Sequence, residues 1–331
     1  MAARKIPVIL YGLGPIGAAC ARLLATRPEY EFVGAIDVDP NKVGKDIADV
    51  IGLPEKTGVK VSDKTGRVLG KDAKLVVHAT GSYFLKVKPQ LEQIVKAGKN
   101  IVSTCEELAN PWAQHPEAAE ELNELAKKYR VTVVGTGINP GYAMDTLPVA
   151  LTALCAEVKR IRVRRVVDAS KRRVQLQRKI GTGLTGEAFR EAVARREIRH
   201  VGLSESVGLI ARGLGWTLDQ IQEEIEPVIA TKRVMTDFFT VEPNFVTGVR
   251  QWGRGLYAGE DKIILELEMA VDAAETYDEA WIEGSPDIHS LVKGIHGDIS
   301  TAAVIANTAR RVVEAKPGLL TMVDLPLVSA R

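Results

Sequence analysis

Two short stretches carry residues whose types and spacing suit chemistry. Ser103-Thr104-Cys105-Glu106-Glu107 sets two adjacent carboxylates directly after the apolar run Asn100–Ser103. A carboxylate at the end of a strand can stabilise a positive nitrogen and pass a proton, which suits an amine or iminium as the reacting group. Two surface glutamates at a helix start fit the same spacing equally well. The second stretch, Val133 to Tyr142, reads V-V-G-T-G-I-N-P-G-Y. An apolar run that stops at glycine and a single amide, Asn139, is expected to deliver its backbone to a ligand, because glycine lets the main chain approach closely.

A third motif says what that ligand is. Gly12-Leu13-Gly14-Pro15-Ile16-Gly17 follows the run I-P-V-I-L-Y and opens a helical segment. Gly12 suits a tight turn, Gly14 the close approach of a pyrophosphate, and Gly17 a helix–strand contact, with helix N–H groups facing the phosphates. Asp37 ends the next apolar run, where an acidic side chain accepts hydrogen bonds from both ribose hydroxyls of NAD. Asp39, Asn41 and Lys42 follow closely, and Lys42 would pair with the 2′-phosphate of NADP if Asp37 turned aside. NAD and NADP both stay open. Thr80-Gly81-Ser82, after L-V-V-H-A, is a further turn expected near the ribose or pyrophosphate. His78, inside that run, reads as a satisfied core histidine. His289 and His296 are seven apart, which is not a metal spacing, and no C-x-x-C or H-E-x-x-H is present. No metal is expected. His296, flanked by glycines just before a helix, fits a ligand contact and a plain turn residue equally.

These groups need a scaffold that gathers them. Up to about residue 135, short apolar runs alternate with helical ones: Ile6–Tyr11, Phe32–Ile36, Leu75–Ala79, Asn100–Ser103 and Val131–Val134 as strands, Ile16–Thr26, Leu85–Ala97 and Pro116–Lys128 as helices. That order predicts a doubly wound parallel sheet of the Rossmann type, whose ligands bind at the carboxyl ends of the strands. After about residue 145 the pattern changes. Val158–Val167, Asn244–Leu256 and Lys262–Val271 read as strands, the last two joined by an A-G-E-D turn. Gly186–Arg196, Ser204–Leu214, Thr217–Ile225 and Ser300–Ala315 read as helices. The expected fold class is therefore α/β: a Rossmann domain over residues 1–144, and an α+β domain with a mostly antiparallel sheet over 145–315. Residues 316–331 are expected to return to the first domain.

Composition excludes several classes. A hydrophobic content of 46% and a charged content of 26% are those of an ordinary globular protein, and a net charge of +2 gives no reason to expect nucleic acid. The densest basic stretch, Lys159 to Lys179, reads as a solvated face or the rim of an anion site. Three cysteines (Cys20, Cys105, Cys155) without paired spacing argue against a disulfide framework and suit a reducing compartment. No apolar run reaches the ~18 residues of a membrane span, and the N-terminus runs straight into a strand. A cytoplasmic protein without membrane or nucleic-acid partners is expected.

G-L-G-P-I-G, S-T-C-E-E-L, G-T-G-I-N-P-G-Y, D-A-S-K-R-R-V-Q-L-Q-R-K-I-G-T-G-L-T-G-E-A-F, G-I-H-G-D-I-S-T-A-A-V and A-K-P-G-L-L-T-M-V-D-L-P together resemble the 2,4-diaminopentanoate dehydrogenase family. That family includes NAD(P)-dependent amine dehydrogenases and is distantly similar to dihydrodipicolinate reductases. The resemblance runs from the first strand to Pro326. It implies reversible oxidative deamination of a small amine to a ketone plus ammonia, and a homodimer. It also implies that a glutamate of S-T-C-E-E binds the amine, Glu106 first and Glu107 second. Asn139 would hold the nicotinamide carboxamide, with Ser103, Thr104 and Gly141 beside the cofactor. Tyr142, Gln177, Thr182 and His296 would stand on the substrate side. A 2,4-diaminopentanoate dehydrogenase proper and a non-catalytic nucleotide sensor are alternatives. A dihydrodipicolinate-type reductase is disfavoured because no H-H-x-x-K-x-D run follows the cofactor domain.

Overall fold

The structure, a computed structural model, describes residues 5–330. Its first part alternates as the apolar periodicity requires: β1 (Ile6–Tyr11), α1 (Pro15–Ala25), β2 (Tyr30–Ile36), α2 (Ile47–Ile51), β3 (Val61–Ser62), α3 (Thr65–Leu69), β4 (Leu75–His78), α4 (Phe84–Lys96), β5 (Asn100–Ser103), α5 (Pro116–Tyr129) and β6 (Thr132–Gly135). Then come α6 (Thr146–Leu151), β7 (Glu157–Asp168), α7 (Val174–Lys179), α8 (Gly186–Ala194), α9 (Leu203–Leu214), β8 (Gln220–Ile229), β9 (Val234–Met235), β10 (Thr240–Val241), β11 (Val246–Tyr257), β12 (Glu260–Ala270), β13 (Tyr277–Ser285) and β14 (Ile288–Lys293). The chain ends with α10 (Gly297–Glu314) and β15 (Gly318–Leu320). It divides into two units: residues up to Tyr142 together with His296 onward, and Ala143–Ile295.

In the first unit, seven of the described strands form a wholly parallel sheet in the order β15-β6-β5-β4-β1-β2-β3. Successive strand residues point to opposite faces, and here both faces are covered. Val8, Leu10, Val77, Val102 and Val134 pack against Ala18, Ala21 and Leu24 of α1 and Ala302, Ile305, Ala306 and Ala309 of α10. Their neighbours Ile9, Val76, Ile101 and Val133 pack against Phe84, Leu91 and Ile94 of α4 and Leu122 and Ala126 of α5. Each buried Leu, Ile or Phe contributes roughly 1.5–3 kcal/mol by leaving water, so this two-sided burial dominates stability.

The helix expected to close the second domain at residue 315 is α10, and it lies instead with the first unit. Its small-residue stripe lets it approach α1 closely, which fixes its place on that face of the sheet. β15 then pairs with β6 in parallel.

The second unit holds a six-stranded sheet in the order β14-β13-β7-β12-β11-β8, antiparallel except for the β7–β12 pair. Ile161, Val163, Ile263 and Leu265 face Leu203, Val207 and Ile210 of α9. The opposite face is charged in rows. Arg162 and Arg164 of β7 reach Glu266 and Glu268 of β12 at 3.4–3.6 Å, and Arg250 of β11 meets Glu268 at 2.7 Å. The basic stretch after Lys159 is thus answered side by side by acidic strands. Such half-exposed pairs are worth about 0–1 kcal/mol each, so α9's apolar stripe, not this lattice, holds the sheet.

Thr217–Ile225, expected as a helix, is largely strand β8. Leu218, Ile221 and Ile225 fit a helical stripe, but Ile221, Glu223 and Ile225 also alternate, and pairing with β11 along the strand decides for the sheet. β8 is an edge strand, the one place where Pro227 costs no ladder bond. Glu223 points inward and fixes that edge: it accepts from Arg199, from the Ser204 N–H and hydroxyl, and from Gln251 at 2.6–3.2 Å. The β11–β12 hairpin closes on Ala258 and Gly259, both in the left-handed region, as a two-residue turn requires.

Candidate active site

All strands of the parallel sheet run one way, so their carboxyl ends lie along one edge, and the loops leaving that edge are tied together. The Gly12 N–H donates to Ile36 O at 2.9 Å, Ala79 to Tyr11 O at 2.7 Å, Thr104 to His78 O at 3.0 Å and Thr136 to Ser103 O at 2.8 Å. This stitching places the loops that carry Gly12, Asp37, Thr80, Ser103 and Asn139 side by side.

The glycine turn fits a dinucleotide. Gly12 has φ +92°, and a Cβ there would lie 2.4 Å from Ala79 O. At Gly17 it would lie 2.1 Å from Gly12 O, which only glycine permits. At Gly14 a Cβ would meet nothing within 4 Å. Gly14 is the N-cap of α1 with no side-chain cap, Pro15 is its first residue, and Ile16 and Gly17 supply first-turn N–H groups. The side of the turn that a phosphate approaches is therefore bare backbone at a helix N-terminus. Asp37, at the end of β2, is held by several donors. Its carboxylate is nearly buried and accepts from the Leu13 N–H at 2.8 Å, the Asp39 N–H at 2.9 Å and Lys42 at 3.2 Å. Burial works to raise its pKa, but these donors prevail and hold it below the usual carboxylate range.

Glu106 and Glu107, neighbours in sequence, have separate surroundings. Glu107 is buried, and its Oε2 accepts from the Phe84 N–H at 2.6 Å, with His115 Nε2 at 3.5 Å. It caps the start of α4 and ties that helix to the loop after β5. Glu106 is half-buried at the head of the 3₁₀ turn Glu107–Ala109. Cys105 beside it is fully buried, and burial pushes its thiol up, so it packs as an apolar group.

Gly135 explains how Glu106 and Asn139 come onto adjacent loops. A Cβ on Gly135 would lie 2.3 Å from the carbonyl carbon of Leu108 and 2.5 Å from its oxygen. The absent side chain lets the turn after Glu106 press against the end of β6. Gly137 is looser: a Cβ there would lie 3.5 Å from Pro140 O and 3.6 Å from the Thr301 methyl of α10. Asn139 is nearly buried in this loop, and Tyr142 packs partly against the α1–α10 core. His296 is exposed and caps α10, its Nδ1 accepting from the Ile299 N–H at 3.4 Å, so its own proton sits on Nε2.

His78 is the satisfied core histidine that its place inside β4 leads one to expect. It is wholly buried, with Nδ1 2.8 Å from Ser103 Oγ and Nε2 2.9 Å from Gln90 Oε1 and 2.8 Å from Thr80 Oγ1. Gln90 Oε1 can only accept, so Nε2 carries the proton and Nδ1 accepts from Ser103, whose oxygen accepts from the Cys105 N–H at 3.1 Å. One ring thereby joins the Thr80 turn to the loop of Glu106. Burial pushes its pKa down from 6.5 to about 4. The neutral ring stabilises the fold fully above pH 6.5, and that contribution erodes as pH falls through the window from 6.5 to about 4. At 1.36 kcal/mol per unit this amounts to about 3 kcal/mol. Urea midpoints at pH 7 and pH 4.5 should differ more for the native chain than for His78→Asn, and equal differences would refute the assignment.

Gln177 and Thr182 lie in the second unit, with their side chains engaged there. Gln177 is buried, donates to Ser170 O and Arg172 O at 3.0 Å and accepts from Thr236 at 3.0 Å, while Thr182 donates to Thr247 O at 3.3 Å. These bonds shape the segment itself. Among the described residues no group of three or more His, Cys, Asp or Glu is placed to hold a metal ion, and no helix is long and apolar enough to cross a membrane.

The chain's similarities follow the same lines. Residues 142–331 match the family model described as the 2,4-diaminopentanoate dehydrogenase C-terminal domain. A 2,4-diaminopentanoate dehydrogenase of Acetoanaerobium sticklandii is 33% identical over 98% of this chain and 95% of its own length. An amine dehydrogenase of Streptomyces virginiae is 23% identical over 97% of this chain and 96% of its own. The solved amine dehydrogenase of Mycobacterium smegmatis superimposes with a TM-score of 0.84 at 26% identity, over 98% of this chain and 97% of that one. With a whole-length relative at that identity and the family model matched over more than half of its residues, this chain belongs to the 2,4-diaminopentanoate dehydrogenase family.

Proposed function

We propose that this chain is a nicotinamide-dinucleotide-dependent amine dehydrogenase, an oxidoreductase that interconverts a small amine with a ketone plus ammonia. The observation that carries the reading is the half-buried Glu106 on the loop next to Asn139, at the carboxyl edge that also bears the glycine turn. Gly12, Gly14 and the first turn of α1 would hold the pyrophosphate, Thr80 and Ser82 would flank it, and Asn139 would orient the carboxamide. A nicotinamide bound there supplies the two-electron step, taking hydride from the carbon that bears the nitrogen. Glu106 meets the positive charge that then develops on nitrogen and receives the proton released as water adds and ammonia leaves. In reverse it holds the iminium formed from ketone and ammonia. Tyr142 and His296 stand on the substrate side of the same reading.

A second reading, a substrate bearing a carboxylate and a second amine, is favoured by the name of the 33% identical relative. The proposal includes a homodimer, to which the rows of opposite charge on the second sheet offer a self-complementary face, and a cytoplasmic setting that suits three free cysteines. The test is a panel of aliphatic, cyclic and amino-acid-derived ketones with ammonium, followed by loss of NADH or NADPH absorbance. Consumption that depends on ammonium is the expected result. Consumption without ammonium would make the chain a carbonyl or imine reductase, and none with any substrate would favour a nucleotide sensor.

A further inference from the structure

The second unit carries a cleft that the dehydrogenase reading does not use. It encloses about 380 Å³ between the segment after α9, the start of β7 and the β11–β12 hairpin, a volume typical of small-molecule sites. The length of β7, twelve residues, separates it from the segment of Gln177, roughly 35 Å in a strand of that length. Three ties preform its walls. Gly215 ends α9 in the left-handed region and turns the chain back, with the Trp216 N–H donating to Ala211 O at 2.8 Å. Leu218 then seats on the bare backbone of Gly255, where a Cβ would lie 2.8 Å from its Cδ1. The Asp219 N–H donates to Leu256 O at 2.8 Å, and its carboxylate accepts from the Ala258 N–H at 2.6 Å, which holds the hairpin tip. Trp216, packed partly on the core beneath α9, and the more exposed Tyr257 give the cleft its aromatic surface.

Two lysines line the same cleft, and each sits at a β-bulge. In β7, Arg160 pairs with Glu283 and Val158 with Gly284, so Lys159 is the extra residue. In β12, Ile263 pairs with Gly255 and Asp261 with Leu256, so Lys262 is the extra residue. A regular strand turns consecutive side chains to opposite faces. Here Val158 and Lys159 both line the cleft, and Lys262 lines it next to Ile263, which packs under α9. Bulges re-aim side chains in this way. The first also needs glycine in the facing strand, since a Cβ on Gly284 would lie 2.2 Å from Glu157 O. Lys262 stands 3.5 Å from the exposed Glu260, a surface pair of little worth, and among the described residues Lys159 enters no ion pair. Within the lining, two ammonium groups stand against one carboxylate, that of Glu157.

We propose that this cleft binds a small aromatic carboxylate, its ring against Trp216 and Tyr257 and its charge between Lys159 and Lys262. The proposal is independent of the dinucleotide and amine readings above. Equilibrium titration of the full chain with indole-3-acetate, followed by calorimetry, tests it, with 3-methylindole as the ring without the charge and acetate as the charge without the ring. Indole-3-acetate should bind at least about tenfold more tightly than either, and less tightly as salt rises. Lys159→Ala combined with Lys262→Ala should weaken it roughly 10–100-fold, the worth of charged hydrogen bonds, and Tyr257→Ala about threefold. The paired Lys159→Arg and Lys262→Arg changes should keep the affinity within about threefold, since both charges remain. Glu106→Gln should leave binding unchanged, which separates this cleft from the proposed reaction site. Unchanged affinity in the double alanine variant would overturn the proposal. So would 3-methylindole binding as tightly as the acid, a loss of binding in Glu106→Gln, or no binding of indole-3-acetate to the unaltered chain.

Discussion

Glu106→Gln is expected to lower ammonium-dependent turnover by roughly 10²–10³-fold, the usual loss when one preorganised charge-stabilising group is removed. Glutamine keeps the shape and the hydrogen-bonding reach of the side chain but cannot neutralise a cationic nitrogen or take its proton. Dinucleotide affinity should stay within about threefold, since the glycine turn proposed to hold the phosphates, Gly12–Gly17, belongs to a different loop. Glu107→Gln makes the matching control. Its amide oxygen can still accept from the Phe84 N–H, so the cap on α4 survives and turnover should fall only a few-fold. Glu107→Ala, by contrast, leaves a buried N–H without its partner and should lower stability by about 1–3 kcal/mol. If Glu107→Gln abolishes turnover while Glu106→Gln spares it, the two residues exchange roles. If both variants remain fully active, the acid–base group lies elsewhere.

The two glutamates also show what a sequence can and cannot display. The glycine turn, the strand ends and the loops at the carboxyl edge were legible because each depends on local signals: apolar runs of a few residues, glycine after a strand, Pro15 at a helix start. The division of labour between Glu106 and Glu107 was not. It is set by where the start of α4, more than twenty residues earlier, comes to lie against the loop after β5. The placement of α10 was hidden for a similar reason, because the chain leaves the first unit at Tyr142 and returns to it at His296. The signal available was the alanine spacing of Ala302, Ala306 and Ala309, which asks for a close helix neighbour such as the alanine-rich α1. Over β8 two periodicities coincide at three isoleucine and leucine positions, so the residues alone fit a helix as well as a strand. β13 carries a legible signal of its own, with Ala280 and Ile282 alternating inward and Glu279, Trp281 and Glu283 outward. Gln177 is expected on the substrate side only because the family resemblance implies it. Its burial rests on carbonyls that only the folded segment supplies.

Gly135→Ala is the change expected to do most damage for its size. The new methyl would sit 2.3 Å from the Leu108 carbonyl carbon and 2.7 Å from the Ala109 nitrogen, and all of these are backbone atoms that no rotamer change can clear. Either β6 or the 3₁₀ turn after Glu106 must move. Overpacking of a core costs about 1–3 kcal/mol, and a backbone clash belongs at the upper end of that range. The turn has less to hold it than the strand, which is paired on both sides by β5 and β15, so the turn should yield and carry Glu106 with it. A displacement near 1 Å at a reacting group costs on the order of 10²-fold in rate. The expected outcome is therefore a double loss, a lower urea midpoint and a turnover reduced roughly 10–100-fold, with adenosine 5′-monophosphate still bound. Gly137→Ala, two residues on, is the discriminating partner. Its methyl would meet nothing nearer than Pro140 O at 3.5 Å, an ordinary contact, and stability and turnover should both stay close to those of the native chain. If the two alanines prove equally harmful, the loop needs glycine for flexibility, and the close approach of Leu108 is not what positions Glu106. If only Gly135→Ala is harmful, that contact is what holds the turn of Glu106 against the end of β6.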